Sequence, residues 1–357
     1  MPVFRNAPIA AEPTAPGSPT SGAPAPGPAP GEVLAFHRGL PGYAPTPVVE
    51  LPRDLAEEVG AGRVLVKAEV ERLGLPSFKV LGASWAAHRL LAARPEGSPA
   101  VARLVAATDG NHGRAVAHMA ALWGLQATIL VPAGTAAARI DAIADEGADV
   151  VVVDGTYDDA VARSAELADD VTLVVSDTSW PGYEDVPRWV IEGYTTIFAE
   201  LADQLDARPD VAFVPLGVGA LGAAAVAGLP GTALVGVEPD TADCVRAAVA
   251  AGEVVEVPGP HRSIMAGLNC GFASPVALPA IAAGFHAFVT VDDDRARDAV
   301  RRLAAAGLEV GETGAAALAG LLEAPELVPE GATVLLLATE GVTDPVNYEA
   351  IVGRPPS

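Results

Sequence analysis

The feature that most narrows what this chain can fold into is an alternation. From about residue 33 onward, short runs of Val, Leu, Ile and Ala with no polar face alternate with longer Ala-rich stretches. Strands that are apolar on both faces belong in parallel sheets covered on both sides, and parallel neighbours need a crossover between them, usually a helix. Strands are expected over 64–66, 104–107, 127–131, 149–153, 172–175, 211–215, 233–237, 287–291 and 333–338. Helices are expected near 80–93, 112–123, 135–146, 157–169, 187–204, 220–228, 241–251, 293–306, 313–323 and 344–350. The class is therefore α/β. So many strands crowd a single twisted sheet, and two mostly parallel sheets are expected.

Composition enters by exclusion. A pI near 4.5 and a net charge of −23, with no basic block, argue against nucleic acid and against an anionic membrane surface as partners. Mean hydropathy is positive, +0.34, yet no uncharged apolar run is long enough for a membrane span. The first residues do not read as a signal peptide. No CxxC or HExxH is present, so no metal site is expected. Residues 1–31 hold nine prolines and two charges, and read as a disordered Pro/Ala-rich tail. The 22 basic residues include only two lysines, Lys67 and Lys79, so chemistry that needs an amine has two candidates.

In open α/β sheets, ligands bind beyond the carboxyl ends of the strands. Four such turns carry unusual residues. Lys79 follows Pro76-Ser77-Phe78 at a helix start, where the positive dipole end disfavours a cation and keeps some amine free; an ordinary solvated lysine is the alternative. Thr108-Asp109-Gly110-Asn111-His112-Gly113-Arg114 follows a strand and opens a helix. One polar side chain would suffice as a cap, and the excess favours a binding turn. Gly217-Val218-Gly219-Ala220-Leu221-Gly222 either brings backbone N–H groups to a phosphate or packs a helix closely on a strand. It is no Walker loop, since no Lys-Ser/Thr follows. Thr339, in Leu337-Ala338-Thr339-Glu340-Gly341, either meets a ligand or caps the next helix. Lys67 ends a strand with no constellation around it and reads as structural.

Together these pieces resemble the fold-type II pyridoxal-phosphate enzymes (tryptophan synthase β-like), and within them the diaminopropionate ammonia-lyases. Phe78-Lys79-Val80-Leu81-Gly82, the Thr108 to Arg114 turn, Asp177-Thr178-Ser179-Trp180-Pro181-Gly182-Tyr183 with Gly193-Tyr194-Thr195-Thr196, and Met265-Ala266-Gly267-Leu268-Asn269-Cys270-Gly271 carry the likeness, in family order over about 33–350. The resemblance implies open twisted sheets in two domains: a large one of 32–100 and 192–357, and a small one of 101–191. It also implies pyridoxal 5'-phosphate as cofactor, held by Lys79 as a Schiff base. Asn111 would meet the ring hydroxyl, Gly217, Val218, Gly219, Ala220 and Leu221 the phosphate, and Thr339 the pyridine nitrogen. A neutral hydroxyl there suits β-elimination.

Asp109 and Asp177 would join Lys79 as catalytic residues. The implied reaction releases ammonia from 2,3-diaminopropionate, giving pyruvate and a second ammonia. A base on each face, Lys79 and Asp109, would admit both stereoisomers. Carboxylates suit a substrate with two ammonium groups. The alternatives are a serine/threonine dehydratase, a β-replacement enzyme, or a non-catalytic ligand-binding relative. A homodimer acting on a small amino acid in the cytoplasm is also implied. Cys244 and Cys270 match positions that pair in some relatives; in cytoplasm they read as reduced thiols. Val218 and Ala220 replace glycines of many relatives, so the phosphate turn must avoid positive φ there. Pro181 follows Trp180 and bears on the pocket's shape.

Overall fold

A computed structural model describes residues 2–6, 27–29, 31–108 and 110–357. Its strands are β1 (Val3–Arg5), β2 (Val48–Glu50), β3 (Arg63–Ala68), β4 (Arg103–Ala107), β5 (Gln126–Pro132), β6 (Asp149–Val153), β7 (Thr172–Val174), β8 (Val211–Pro215), β9 (Ala233–Pro239), β10 (Phe285–Val291) and β11 (Thr333–Ala338). They form two sheets. A seven-stranded sheet has the order β1-β10-β9-β8-β11-β3-β2, and a four-stranded sheet the order β6-β5-β4-β7. All pairings are parallel except those of the two edge strands of the larger sheet, β1 on β10 and β2 on β3.

All nine expected strands are present, along with the expected helices. The additions are instructive. β1 and β2 are three-residue antiparallel edges, too short for a periodic or continuous apolar signal. β1 corrects the expectation of a tail at its start. Val3 pairs with Val289, Phe4 packs on Phe288, and Asn6 Nδ2 donates to the carbonyls of Ala282 (2.8 Å) and Phe285 (2.9 Å). Residues 7–26 of that segment lie outside the described residues. Short helices at Glu32–Arg38, Arg53–Glu58 and Leu278–Gly284 also went unforeseen, each being two turns or less.

The larger sheet is covered on both faces. Helices Asp293–Ala305 and Glu312–Glu323 pack on one side, with Val64, Val237, Leu318 and Leu336 among the sealed residues. Helices Lys79–Ala92, Asp185–Gln204 and Ala220–Gly228 pack on the other. Two of these meet at backbone distance. A Cβ added at Gly193 would lie 2.4 Å from Leu81 O, and one at Gly82 would lie 2.5 Å from Tyr194 Cε1. No side chain fits between them, so this crossing fixes the height of helix Lys79–Ala92, and with it Lys79. Among the described residues no helix is long and apolar enough to cross a membrane, and no His/Cys/Asp/Glu group is placed to hold a metal.

Lys67 does have a constellation, contrary to the sequence expectation. Its Nζ donates to Glu200 Oε2 (2.7 Å), Gln204 Oε1 (2.8 Å) and Thr46 O (2.8 Å). Arg72 bridges Glu69 and Glu200 in the same sealed cluster. Burial opposes ionisation of Glu200, but its bonds to Arg72 and Lys67 outweigh that and hold its carboxyl below the ordinary range. Two cations thus face two carboxylates where β3, the 43–46 segment and helix Asp185–Gln204 meet. Lys67 is structural, but as part of a network.

Candidate active site

The carboxyl ends of β3, β4, β8 and β11 open on one cleft. Lys79, Asn111, Asp177, Gly217 to Leu221 and Thr339 all line it, so residues spread over most of the sequence are brought together. Asp109 lies outside the described residues.

Lys79 is the first residue of its helix. Its Nζ donates to Asp177 Oδ2 at 2.8 Å, with the Asp177 side chain 9% exposed. Asp177 sits just past β7 and is held there by Tyr183. The Tyr183 hydroxyl donates to Val174 O (2.7 Å) and accepts from Ser176 N (3.0 Å). Tyr183 also stacks on Trp180, with centroids 4.0 Å apart. The turn between them has Pro181 followed by Gly182 at φ 87°, the arrangement a type II turn favours. Pro181 therefore shapes the support under Asp177 and does not line the cleft.

Burial by itself would raise the Asp177 carboxyl, yet the charges beside it hold it well below the usual carboxylate range. Burial pushes the His112 imidazole down. His112 and then Lys79 are the neighbouring groups that lower Asp177, and Lys79 alone also donates it a hydrogen bond. Nε2 of His112 donates to Val175 O (2.8 Å), which leaves Nδ1 as the bare nitrogen, 3.9 Å from Asp177 and with no hydrogen bond among the described residues.

At the other wall, among the described residues, the N–H groups from Gly217 to Gly222 reach no backbone or side-chain acceptor. They surround the start of helix Ala220–Gly228, where the helix dipole favours an anion. Gly219 alone takes the left-handed conformation, φ 105°; Val218 and Ala220 stay out of it, as their side chains require. A Cβ at Gly219 would lie 2.7 Å from Ile281 Cδ1, and one at Gly217 would lie 3.0 Å from Gly267 O. The turn is a close-fitting row of donors suited to a phosphate. Thr339, 4% exposed, donates to Thr313 O (3.3 Å) and offers a neutral hydroxyl to the cleft. Amine, buried carboxylate, amide, hydroxyl and anion cradle together fit a phosphorylated aldehyde cofactor.

Sequence reasoning did not assign roles to His112, Arg139, Tyr157 or Glu340, which also line the cleft. His112 and Glu340 stand inside quoted motifs, so their signal was present. Arg139 and Tyr157 come from helices of the smaller sheet whose sequences look like ordinary surface. Cys244 is buried, with its Sγ 3.6 Å from Gly217 O at the start of the glycine turn.

Comparison with known proteins fits this geometry. The family model described as pyridoxal-phosphate dependent enzyme matches residues 40–340. Diaminopropionate ammonia-lyase of Escherichia coli (strain K12) is 33% identical, covering 89% of each chain. The Salmonella typhimurium enzyme of that name is 34% identical, covering 90% of this chain and 91% of its own. L-threonine dehydratase of Mycobacterium leprae is 31% identical over 90% of this chain and 73% of its own. The crystal structure of the E. coli lyase, in complex with an aminoacrylate-PLP azomethine reaction intermediate, superposes with a TM-score of 0.82 at 32% identity, covering 90% of both chains.

Proposed function

The chain belongs to the pyridoxal-phosphate dependent enzyme family, and we propose that its reaction is the α,β-elimination of ammonia from 2,3-diaminopropionate. Elimination followed by hydrolysis consumes one water and yields pyruvate and two ammonia molecules. The observation that carries the substrate reading is Asp177: a buried carboxylate, ionised and 2.8 Å from the Lys79 amine.

When bound, the cofactor supplies an electron sink for the negative charge left at Cα. Lys79 would hold it covalently through Nζ. The donor turn Gly217, Val218, Gly219, Ala220 and Leu221 would anchor its phosphate, Asn111 would take its ring hydroxyl, and Thr339 would offer its pyridine nitrogen a hydroxyl instead of a charge. With Lys79 drawn away, Asp177 would lose its cationic partner in a largely buried wall. A substrate ammonium replaces that counter-charge, which a hydroxy amino acid with one amine does less completely. Lys79 Nζ, once free, would take the Cα proton; the family likeness gives Asp109 the part of a second base, which would admit both stereoisomers. The enamine product hydrolyses in water.

A second reading is supported by the L-threonine dehydratase likeness: elimination of water from serine or threonine in the same cleft. Initial rates of pyruvate release from diaminopropionate and from serine separate the two. Faster release from serine would overturn the diaminopropionate reading. The family likeness also supports a homodimer working in the cytoplasm, with domains of 32–100 plus 192–357 and of 101–191. Sedimentation of the purified protein tests the first of these.

A further inference from the structure

We propose that Glu340 is a positioning residue for Asn111: its carboxylate dictates which end of the Asn111 amide faces the cleft. The inference rests on the cofactor site proposed above and adds to it the group that sets its polarity.

Glu340 is 2% exposed and follows β11 in the larger sheet. Its backbone is pinned on two sides. It bridges to Ser77, two residues before Lys79, and Gly341 N donates to Pro76 O at 2.8 Å. Helix Glu312–Glu323 presses on it so closely that a Cβ at Gly314 would lie 2.2 Å from Glu340 O. From this fixed base, Oε2 accepts from Asn111 Nδ2 at 2.5 Å. Oε1 has no hydrogen-bond partner among the described residues. Asn111 opens the helix that follows β4, so the bond crosses the cleft from one sheet to the other.

The chemistry is directional. A carboxylate offers only lone pairs, whereas an amide offers an oxygen at one end and two N–H groups at the other. Only the nitrogen end of Asn111 can meet Glu340. One N–H is used there and the second remains for an anionic acceptor in the cleft, such as the ionised ring hydroxyl of the cofactor. Without Glu340 the amide is free to turn over and present its oxygen, which an anion rejects.

The test titrates cofactor-stripped protein with pyridoxal 5'-phosphate and reads the dissociation constant from tryptophan quenching. Wild type, Asn111→Ala, Glu340→Gln and the double variant complete a cycle. Glutamine keeps the shape of glutamate but can present either an oxygen or an NH₂, so it no longer dictates the amide. Asn111→Ala and Glu340→Gln should each raise the constant about tenfold, the scale at which outer groups tune a site. In the Asn111→Ala background Glu340→Gln should change it less than about twofold, the coupling expected when one residue acts through the other.

An equal effect of Glu340→Gln in both backgrounds, or none in wild type, overturns the proposal while leaving the cofactor site standing. No effect of Asn111→Ala would instead remove Asn111 from the cofactor site, and this inference with it. Glu340→Asp keeps an acceptor-only end but withdraws it by one methylene; it is run through the same cycle and judged by the same criterion should the glutamine variant not fold. Melting of the cofactor-free proteins reports the fold separately.

Discussion

Lys67 Nζ and Glu200 Oε2 lie 2.7 Å apart, with both side chains shut off from solvent. Lys67→Ala would leave Glu200 and Glu69 with Arg72 as their one remaining cation in that cluster. The expected loss is about 3–5 kcal/mol of stability, read by urea unfolding. Any of the protein that folds should keep its cofactor absorbance. Lys79→Ala should instead abolish the visible cofactor band in protein that remains folded.

Asp177→Asn should lower turnover of diaminopropionate about 100-fold or more and that of serine much less, on the scale of removing one partner of a desolvated charge pair. Initial rates with both substrates decide it. Equal losses would mean that Asp177 serves the chemistry common to both and not the second ammonium group.

His37 gives a stability prediction with a defined window. It is fully buried; Nε2 donates to Leu81 O (3.0 Å) and Nδ1 accepts from Thr196 Oγ1 (2.6 Å). Burial lowers its pKa from 6.5 to about 4. A depressed pKa contributes stability that is present above the unfolded value and lost as pH falls towards the folded one. The contribution, about 3 kcal/mol, should therefore fade between pH 6.5 and about 4. Urea titrations across that range should show a decline that His37→Gln flattens.

Gly219→Ala should weaken pyridoxal phosphate binding about tenfold, because an alanine resists φ 105° and its Cβ would meet Ile281. Binding of unphosphorylated pyridoxal should change little. If both ligands weakened alike, the turn would not be the phosphate cradle.

The parallel core was legible because each of its strands is apolar on both faces, as in Val211–Pro215 and Thr333–Ala338, whose sequence and structural bounds coincide. The antiparallel edges escaped because three residues carry no period, and Val3–Arg5 was further hidden behind a proline-rich context. The site was legible where chemistry forces an unusual residue: a lysine at a helix start, an overcrowded cap at Asn111, a glycine turn after β8. It was not legible where the role depends on a partner far along the chain. Glu340 meets Asn111 from 229 positions away, and Lys67 meets Glu200 from 133. No local pattern in either neighbourhood names the other.

The strand order has a consequence for synthesis. β11 lies between β8 and β3, in the middle of the larger sheet, although it follows every other described strand along the chain. A growing chain can complete the smaller sheet early, but Lys79 has no floor and Asn111 no partner until Thr333–Ala338 and Glu340 have left the ribosome. Products truncated before Glu340 should therefore be unable to take up cofactor, so its characteristic colour would certify a chain made at least that far.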